Sequence, residues 1–514
     1  MKKVFSLFIM LFFVLSLLLY SQEVQTKSSQ QKYQPTWGSL KQHSDPEWFK
    51  DAKFGIYTHW GPITFANLEN PDGWYGNHMY MDSVIIKWDR EIVAFKPHRT
   101  YIYHVKKWGD PTEFGYKDLI YLFKPTRFDA EKWAELFKRA GAQFAGPVAI
   151  HHDNFAMWDS KVTRWNIKRI ANIDVVGELE KAIRKRGMKF FVSFHHSYSW
   201  FYYYPSYRFD GKNLEYEDLY CPVHRLCDRP NKKYLKLWYG KIDEVLVKYK
   251  PDLIWFDFGL GYISEKYRKK LLARYYNLGV AWGKEVGVCY KNKEEFKKPT
   301  LPDEAGILDF ERGRANKLLK DVWLTDTSVS SWFYSVRSEN RAKTTNEIVD
   351  MLVDIVSKNG CLLLNVPPKP DGTIPEFAQK ILLNIGGWLK VNGEAIYGTR
   401  PWIIYGEGPM KLKEGGHFSE KNKIVYTAKD IRFTTKNNDL FAIFLDWPQN
   451  NKVVIQSLKS NSIIGTKKIR SIILLGSNKQ LKWKQTDQGL EIELPSKKPC
   501  KYAYSLKISL EGKP

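Results

Sequence analysis

Histidines and carboxylates recur in this chain directly after short apolar runs. Phe54–Tyr57 leads into Thr58-His59-Trp60, Phe144–Ile150 into His151-His152-Asp153, and Phe190–Phe194 into His195-His196. Leu253–Phe256 ends at Asp257, and Ile307–Phe310 ends at Glu311. One histidine after a strand is usually a rim or core residue. The same placement at five strand ends is hard to assign to packing. Two carboxylates held this way suit glycoside hydrolysis with retention, in which one is the nucleophile and the other, about 5 Å away, is acid and base. Asp257 must sit at a mouth or be paired, because burying a lone carboxylate is too unfavourable. Trp255 and Phe256 beside it offer an apolar platform for a sugar ring. Arg312 follows Glu311, and a cation there would keep a carboxylate ionised. Phe310 should face away from Glu311, since neighbouring strand residues point to opposite sides. No Cys/His spacing fits a zinc site.

Groups of this kind need a scaffold that presents many strand ends on one face. From about Trp37 to Tyr405 the apolar runs, with Val286–Cys289 and Cys361–Leu364 added, alternate with helix-like stretches. Those stretches include Ala130–Ala140, Val175–Arg186, Lys233–Lys250, Glu265–Leu278 and Thr344–Ser357. Repeated strand–helix units predict a parallel sheet covered on both faces. Seven visible strands over this length predict a (β/α)8-type, TIM-like barrel with one strand hidden. Such barrels carry catalytic groups just past the strand C-termini. After Pro409 the pattern changes to short strands between polar turns: Ile424–Tyr426, Ile431–Thr434, Phe441–Leu445, Val453–Ile455, Ile472–Leu475, Leu490–Leu494 and Ala503–Ile508. That predicts a C-terminal antiparallel β-sandwich over residues 406–514, behind a catalytic domain over 37–405.

The bulk properties agree with two domains, since 514 residues exceed one ordinary core. Lys2 and Lys3 followed by the apolar run Val4–Leu19 predict a signal peptide over residues 1–21, and so a secreted or periplasmic protein. The Gln/Ser/Lys-rich stretch 22–36 reads as a linker. No other segment is apolar enough to cross a membrane, so no span is expected after signal cleavage. The balance of 80 Lys+Arg against 56 Asp+Glu gives +24, a field that attracts polyanions. No zinc finger, RNA-recognition signature or basic helix points to nucleic acid. A sulfated or uronic acid-containing polysaccharide fits an exported chain better. Five cysteines leave at least one thiol free. Cys221 and Cys227 are close enough to pair, which the sequence leaves open, while Cys289 and Cys361 read as buried thiols.

Longer motifs carry a resemblance. The run Lys53-Phe54-Gly55-Ile56-Tyr57-Thr58-His59-Trp60-Gly61-Pro62, then Trp74-Tyr75-Gly76, His151-His152-Asp153 and Thr163-Arg164-Trp165-Asn166 is similar to the α-L-fucosidases of glycoside hydrolase family 29. So are Pro251–Asp257, Leu362–Pro368, Asp371–Pro375 and Gly393–Trp402. The resemblance implies that Asp257 is the nucleophile and Glu311 the acid/base. It implies that His59, His151 and His152 bind sugar hydroxyls and that Trp255 lines the sugar site. Trp60, Trp74, Tyr75, His196 and Lys291 complete the candidate substrate-binding set, with Lys291 in place of an Arg that relatives use. It implies no metal or organic cofactor, and a fucosylated oligo- or polysaccharide as partner.

The chain departs from that pattern at several positions. Gly73 stands where many relatives carry Glu, Leu324 where many carry Glu after Trp, Asn154 where Gly follows His-His-Asp, and Phe194 where some carry Tyr. These changes keep two alternatives open: a carbohydrate-binding protein on a degenerate barrel, and an enzyme of altered substrate such as an α-L-galactosidase or one acting on sulfated fucose.

Overall fold

Eight parallel strands close into a barrel in the computed structural model, which describes residues 32–514 apart from 89–90, 293–299, 422–423, 462–467 and 478. The strands are β1 (Phe54–Thr58), β2 (Phe144–Ile150), β3 (Lys189–Phe194), β4 (Leu253–Phe256), β5 (Gly287–Lys291), β6 (Ile307–Asp309), β7 (Trp323–Ser328) and β8 (Gly360–Asn365). Each pairs with its neighbour in chain order, and β1 closes the ring by pairing with both β2 and β8. The hidden strand is β7. All six of its residues are buried, yet Thr325, Asp326, Thr327 and Ser328 break the apolar pattern that marks the others.

Alternation along the strands decides which side chains enter the barrel. Tyr57, Phe191, Leu253, Trp255, Cys289, Ile307, Leu324, Cys361 and Leu363 pack together inside it. Counting on by twos along each strand reaches His59, His195, Asp257, Lys291, Glu311, Asp326 and Asn365. The intervening residues, among them Ile56, Val192, Phe194, Ile254, Phe256 and Leu364, face the helical layer. That layer forms by ordinary amphipathic logic. In Lys232–Tyr249 the buried residues Tyr234, Leu235, Trp238, Ile242, Val245, Leu246 and Tyr249 line one stripe. Asn231 caps its N-terminus by accepting from the Tyr234 N–H.

The expected signal peptide and the first part of the linker lie outside the described residues. The end of the linker is already anchored. Tyr33 is buried, its N–H donates to Asn277 Oδ1 at 3.0 Å, and its ring packs on Tyr276. Among the described residues no helix is long and apolar enough to cross a membrane. Cys221 and Cys227 are unpaired; Cys221 is buried with its thiol against the Ser199 carbonyl, and Cys227 is exposed.

The C-terminal part contains two antiparallel sheets. The larger has β9 (Arg400–Glu407), β10 (Ile431–Lys436), β11 (Asp439–Phe444), β13 (Ile469–Leu474) and β16 (Tyr504–Leu510), in the order β9-β10-β11-β16-β13. The smaller has β12 (Lys452–Ile455), β14 (Trp483–Gln485) and β15 (Leu490–Glu493), in the order β12-β15-β14. Two details differ from the sequence expectation. Residues 424–426 form no strand, and β9 joins the C-terminal sheet although it begins before residue 406. Its side chains do not alternate cleanly because a register shift between Pro401 and Gly406 breaks the ladder.

A buried ionic hub ties the sheet to the barrel. Asp354, on the helix Thr345–Ser357, sits 2.7 Å from Lys358 Nζ, 2.7 Å from Arg432 Nε on β10 and 3.6 Å from Arg314 Nη1. Burial opposes its charge, but these cations outweigh burial and hold the carboxyl well below its usual range. Replacing Asp354 by Ala leaves three buried cations facing one another. We expect a loss of about 3–5 kcal/mol, the usual effect of removing one partner from a buried pair. Chemical denaturation checks this; an unchanged midpoint would deny the hub a stabilising role.

Candidate active site

The barrel's C-terminal mouth holds a pocket lined by residues from the ends of several strands. Its floor is ionic. Lys291 Nζ lies 2.7 Å from Asp257 Oδ1, 3.1 Å from Glu311 Oε2 and 3.4 Å from Asp326 Oδ2. One buried ammonium therefore touches three carboxylates, each from a different strand end. The first two contacts bound the separation of the Asp257 and Glu311 oxygens by their sum. For that pair of oxygens the bound admits the roughly 5–5.5 Å carboxyl separation of retaining glycosidases.

Asp257 is further held by two imidazoles. His152 Nε2 is 3.1 Å and His195 Nδ1 is 3.3 Å from its Oδ2. His152 Nδ1 donates to the His195 carbonyl at 2.6 Å, which orients the ring. Burial pushes the Asp257 carboxyl up, but the Lys291 charge together with His195 and His152 outweighs burial and keeps it well below its usual range. Asp257 is thus ionised, as a nucleophile must be. Burial acts against the Lys291 ammonium, yet Asp257, Asp326, Glu311 and Asp309 raise its pKa well above the lysine value.

Beneath Lys291 lies a second acidic pair. Asp309 Oδ1 accepts the Asp326 N–H at 3.0 Å, and Asp326 Oδ2 accepts the Tyr57 hydroxyl at 3.1 Å. Burial raises the Asp309 carboxyl well above its usual range, and the Asp326 charge adds to it. Asp326 is also raised, by burial first, with Lys291 opposing. Burial and the neighbouring carboxylate thus act in the same direction on Asp309 and favour its protonated form.

The opposite wall is made of imidazoles. His59 Nδ1 is 3.0 Å from Asn365 Oδ1, which also accepts the His59 backbone N–H at 2.8 Å. Asn365 is fixed in turn by donating to Ser328 Oγ and the Trp332 carbonyl, each at 2.9 Å. Burial lowers the His59 and His151 pKa values well below the histidine norm, and neighbouring histidine rings add to it. Both rings are therefore neutral near pH 7; His59 donates its Nδ1–H to Asn365 and offers Nε2 as an acceptor, and His151 has one donor and one acceptor nitrogen. His59, His151 and His195 bring ring nitrogens within 4.8 Å of one another, as do His152 and His195 with an Asp257 oxygen, two of three groups among the described residues with the spacing to ligate a cation. Trp74, Phe258, Trp332 and Phe333 supply the aromatic walls.

Of the residues expected from sequence, Asp257, Glu311, His59, Trp74, His151, His152, Trp255 and Lys291 all line this pocket. Three do not. His196 faces the helical layer, with Nε2 3.3 Å from the Trp238 carbonyl and its ring stacked on Trp238. His195 enters the pocket in its place, because alternation from Phe191 runs through Ser193 to His195. Trp60 points away from His59 for the same reason; its indole N–H donates to the Lys369 carbonyl and its ring packs on Phe123, Phe128 and Trp133. Tyr75 is buried behind Trp74, with its hydroxyl 3.2 Å from His104 Nδ1.

The departures from the resemblance sort by geometry. Phe194 faces outward and stacks on Phe256, so a missing hydroxyl there does not touch the pocket. Asn154 adopts the left-handed conformation at φ 64°, and its amide is tied to Asp218 O, Leu219 O and Lys241 Nζ. Gly73 does matter to shape. A Cβ there would meet only Phe333 Cδ2, at 3.8 Å, so the pocket is open at that point. Arg312 does not approach Glu311's carboxylate. Its guanidinium lies 4.4 Å over the Trp332 ring and donates to the Ser330 carbonyl, and Lys291 supplies the cation instead. Asp326, Asp309 and Asn365 were not among the residues expected from sequence, and His195 was seen at its strand end but passed over for His196; counting by twos from the apolar strand residues finds all four.

With this geometry in hand, comparison with known proteins is decisive. A family model described as α-L-fucosidase matches residues 20–394, and one described as the α-L-fucosidase C-terminal domain matches residues 423–509. The chain belongs to the α-L-fucosidase family. It is similar to tissue α-L-fucosidase of Rattus norvegicus, at 30% identity with 93% of this chain and 92% of the relative covered. It is also similar to plasma α-L-fucosidase of Homo sapiens, at 29% identity with 93% and 92% covered. Among solved structures, the α-fucosidase of Thermotoga maritima in complex with a mechanism-based inhibitor superposes with a TM-score of 0.71 at 29% identity, covering 93% of this chain and all of that one. The barrel and the C-terminal sheets are those of this α-L-fucosidase fold, and the chain is a glycoside hydrolase.

Proposed function

We propose that this protein is an exo-acting, retaining α-L-fucosidase in which Asp257 is the nucleophile and Glu311 the acid/base. The observation that carries the reading is the shared Lys291 ammonium, 2.7 Å from Asp257 Oδ1 and 3.1 Å from Glu311 Oε2, which gathers the two carboxylates at one point of the barrel mouth. The pocket is small and closed by aromatic walls, which suits one terminal 6-deoxy sugar. The neutral ring of His59 offers an acceptor, and that of His151 a donor and an acceptor, to its hydroxyls.

In the first step Asp257 attacks the anomeric carbon while Glu311 gives its proton to the leaving oxygen. Ester formation removes the Asp257 charge. Lys291 then faces one carboxylate fewer, and its contact with Glu311 favours the ionised form that takes a proton from the incoming water. Water attack on the ester releases fucose with its original anomeric configuration.

The acid role has a direct test. Glu311→Ala should lower kcat/KM on a fucosyl disaccharide by about 10²–10⁴-fold, the usual worth of a positioned acid. It should lower it far less on a dinitrophenyl α-L-fucoside, whose leaving group needs no proton. Azide should restore turnover and give α-L-fucosyl azide. Equal losses on both substrates, with no azide product, would remove Glu311 from this role. NMR of the first-formed sugar checks the stereochemistry; β-L-fucose as first product excludes the retaining route.

The finer identity of the substrate rests on charge and space. A net charge of +24 favours an anionic glycan, and the open position at Gly73 leaves room for a substituent on the sugar. Export, to the periplasm or beyond, is supported by Lys2, Lys3 and the apolar run that follows.

A further inference from the structure

The loop that carries Glu311 is held by a segment from the other domain. The connection between β9 and β10 of the C-terminal sheet leaves that sheet and returns to the barrel mouth. Residues 416–420 of this strap run beside residues 311–314. Both main-chain groups of Glu311 are bonded to it: the Glu311 N–H donates to His417 Nδ1 at 3.0 Å, and the Glu311 carbonyl accepts the Phe418 N–H at 2.7 Å. The ladder continues on the same side. Glu420 N–H donates to the Arg312 carbonyl at 2.9 Å, Arg314 N–H to Ser419 Oγ at 3.0 Å, and Gly416 N–H to the Arg314 carbonyl at 3.0 Å.

The approach is as close as backbones allow. A Cβ on Gly313 would overlap the carbonyl oxygen of Gly416. Arg312 and Phe418, on the two facing segments, both take the left-handed conformation, at φ 43° and 58°. Non-glycine residues persist there only where surrounding contacts over-determine the chain, a condition found most often at functional sites. The strap is itself anchored to the barrel, because the Glu420 carboxylate accepts the Thr327 hydroxyl at 3.0 Å and lies 3.1 Å from Lys343 Nζ.

We infer that His417 and its strap are positioning elements for the acid/base: the C-terminal domain clamps the main chain of Glu311 and so sets where its carboxyl meets the leaving oxygen. The inference rests on the reading of Glu311 as acid/base. The physical reason is tolerance. A catalytic group must be held within about 0.5 Å, and a 1 Å error costs about 10²-fold. Glu311 lies past the end of β6; its neighbours Phe310 and Arg312 still donate to the Leu324 and Asp326 carbonyls of β7, while the main-chain N–H and carbonyl of Glu311 itself are taken up by the strap.

The test compares leaving groups. His417→Ala should lower kcat/KM on a fucosyl disaccharide about 10-fold or more while leaving a dinitrophenyl α-L-fucoside within about 2-fold, because only the first substrate needs the proton. His417→Asn, whose Oδ1 reproduces the acceptor, should recover most of the loss. Gly313→Ala, which pushes the strap away, should repeat the His417→Ala pattern. Equal losses on both substrates, or no loss on either, overturn the inference. Glu311→Ala measured alongside separates the two failures. If it discriminates between the substrates and the His417 and Gly313 variants do not, the strap fails alone. If Glu311→Ala does not discriminate, the acid/base reading itself is gone and the strap inference with it.

Discussion

Asp257→Asn should leave the protein folded and lower turnover of an aryl α-L-fucoside by about 10³-fold or more, the scale on which enzymes lose their nucleophile. The amide has the carboxylate's shape but neither its charge nor its nucleophilicity. It cannot form the ester intermediate, and the oxocarbenium-like transition state loses the anion beneath it. Asp257→Gly makes a sharper test because it opens space for azide on the nucleophile's face. The product should then be β-L-fucosyl azide, of inverted configuration, whereas Glu311→Ala should give the α-azide. The two variants together assign the two carboxylates by the stereochemistry of the product. Near-normal activity in Asp257→Asn, with circular dichroism matching the parent, ends the proposed mechanism.

The second large effect is expected from Lys291→Met. Methionine fills a similar volume and leaves Asp257, Glu311 and Asp326 facing one another without a cation. Folding stability should fall by about 3–5 kcal/mol, the range for uncovering a buried charge. Activity should fall as well, with a change in its pH dependence whose sign follows from linkage. The Asp257 carboxyl is held well below its usual range. A depressed carboxylate contributes stability that is present above its unfolded pKa, near 3.9, and is lost as pH falls through the lower folded value. The acidic limb of kcat/KM in the parent enzyme therefore lies below about pH 4 as far as Asp257 sets it. Without Lys291 the same carboxyl rises, and the acidic limb should move to higher pH. Lys291→Arg should keep the limb low, since charge is what sets it, while losing rate because a planar fork does not reproduce three contacts of a point charge. A Lys291→Met profile that overlays the parent's would show that the ammonium does not govern the nucleophile.

Much of this site was legible in the chain itself. Asp257 and Glu311 announced themselves by following apolar runs, and His59, His151, His152 and Lys291 did so at other strand ends. Their shared placement predicts one barrel face, because parallel strands of a closed ring all end on the same side. The C-terminal strands were legible for a related reason: short alternating runs between polar turns have few other folds available. The less visible parts share a cause too. β7 carries Asp326 and Ser328 at its inward positions nearest the mouth, and Thr325 and Thr327 on its other face, where their hydroxyls donate to the Gly313 carbonyl and the Glu420 carboxylate. His196 was favoured over His195 although the alternation from Phe191 selects His195.

What the sequence by itself determined is the chemistry available and the order in which it is met along the chain: two carboxylates, a set of imidazoles and one lysine, each at the end of a buried run. Local pattern suffices for that, because burial and backbone alternation act within a few residues. Only the tertiary structure decided that Lys291 would stand between Asp257 and Glu311, that Arg312 would turn away onto Trp332, and that residues 416–420, between β9 and β10, would bond to the main chain of Glu311. Those are contacts between segments far apart in the chain, set by ring closure and domain docking, and no periodicity in the sequence encodes which distant groups such closure brings within hydrogen-bond reach.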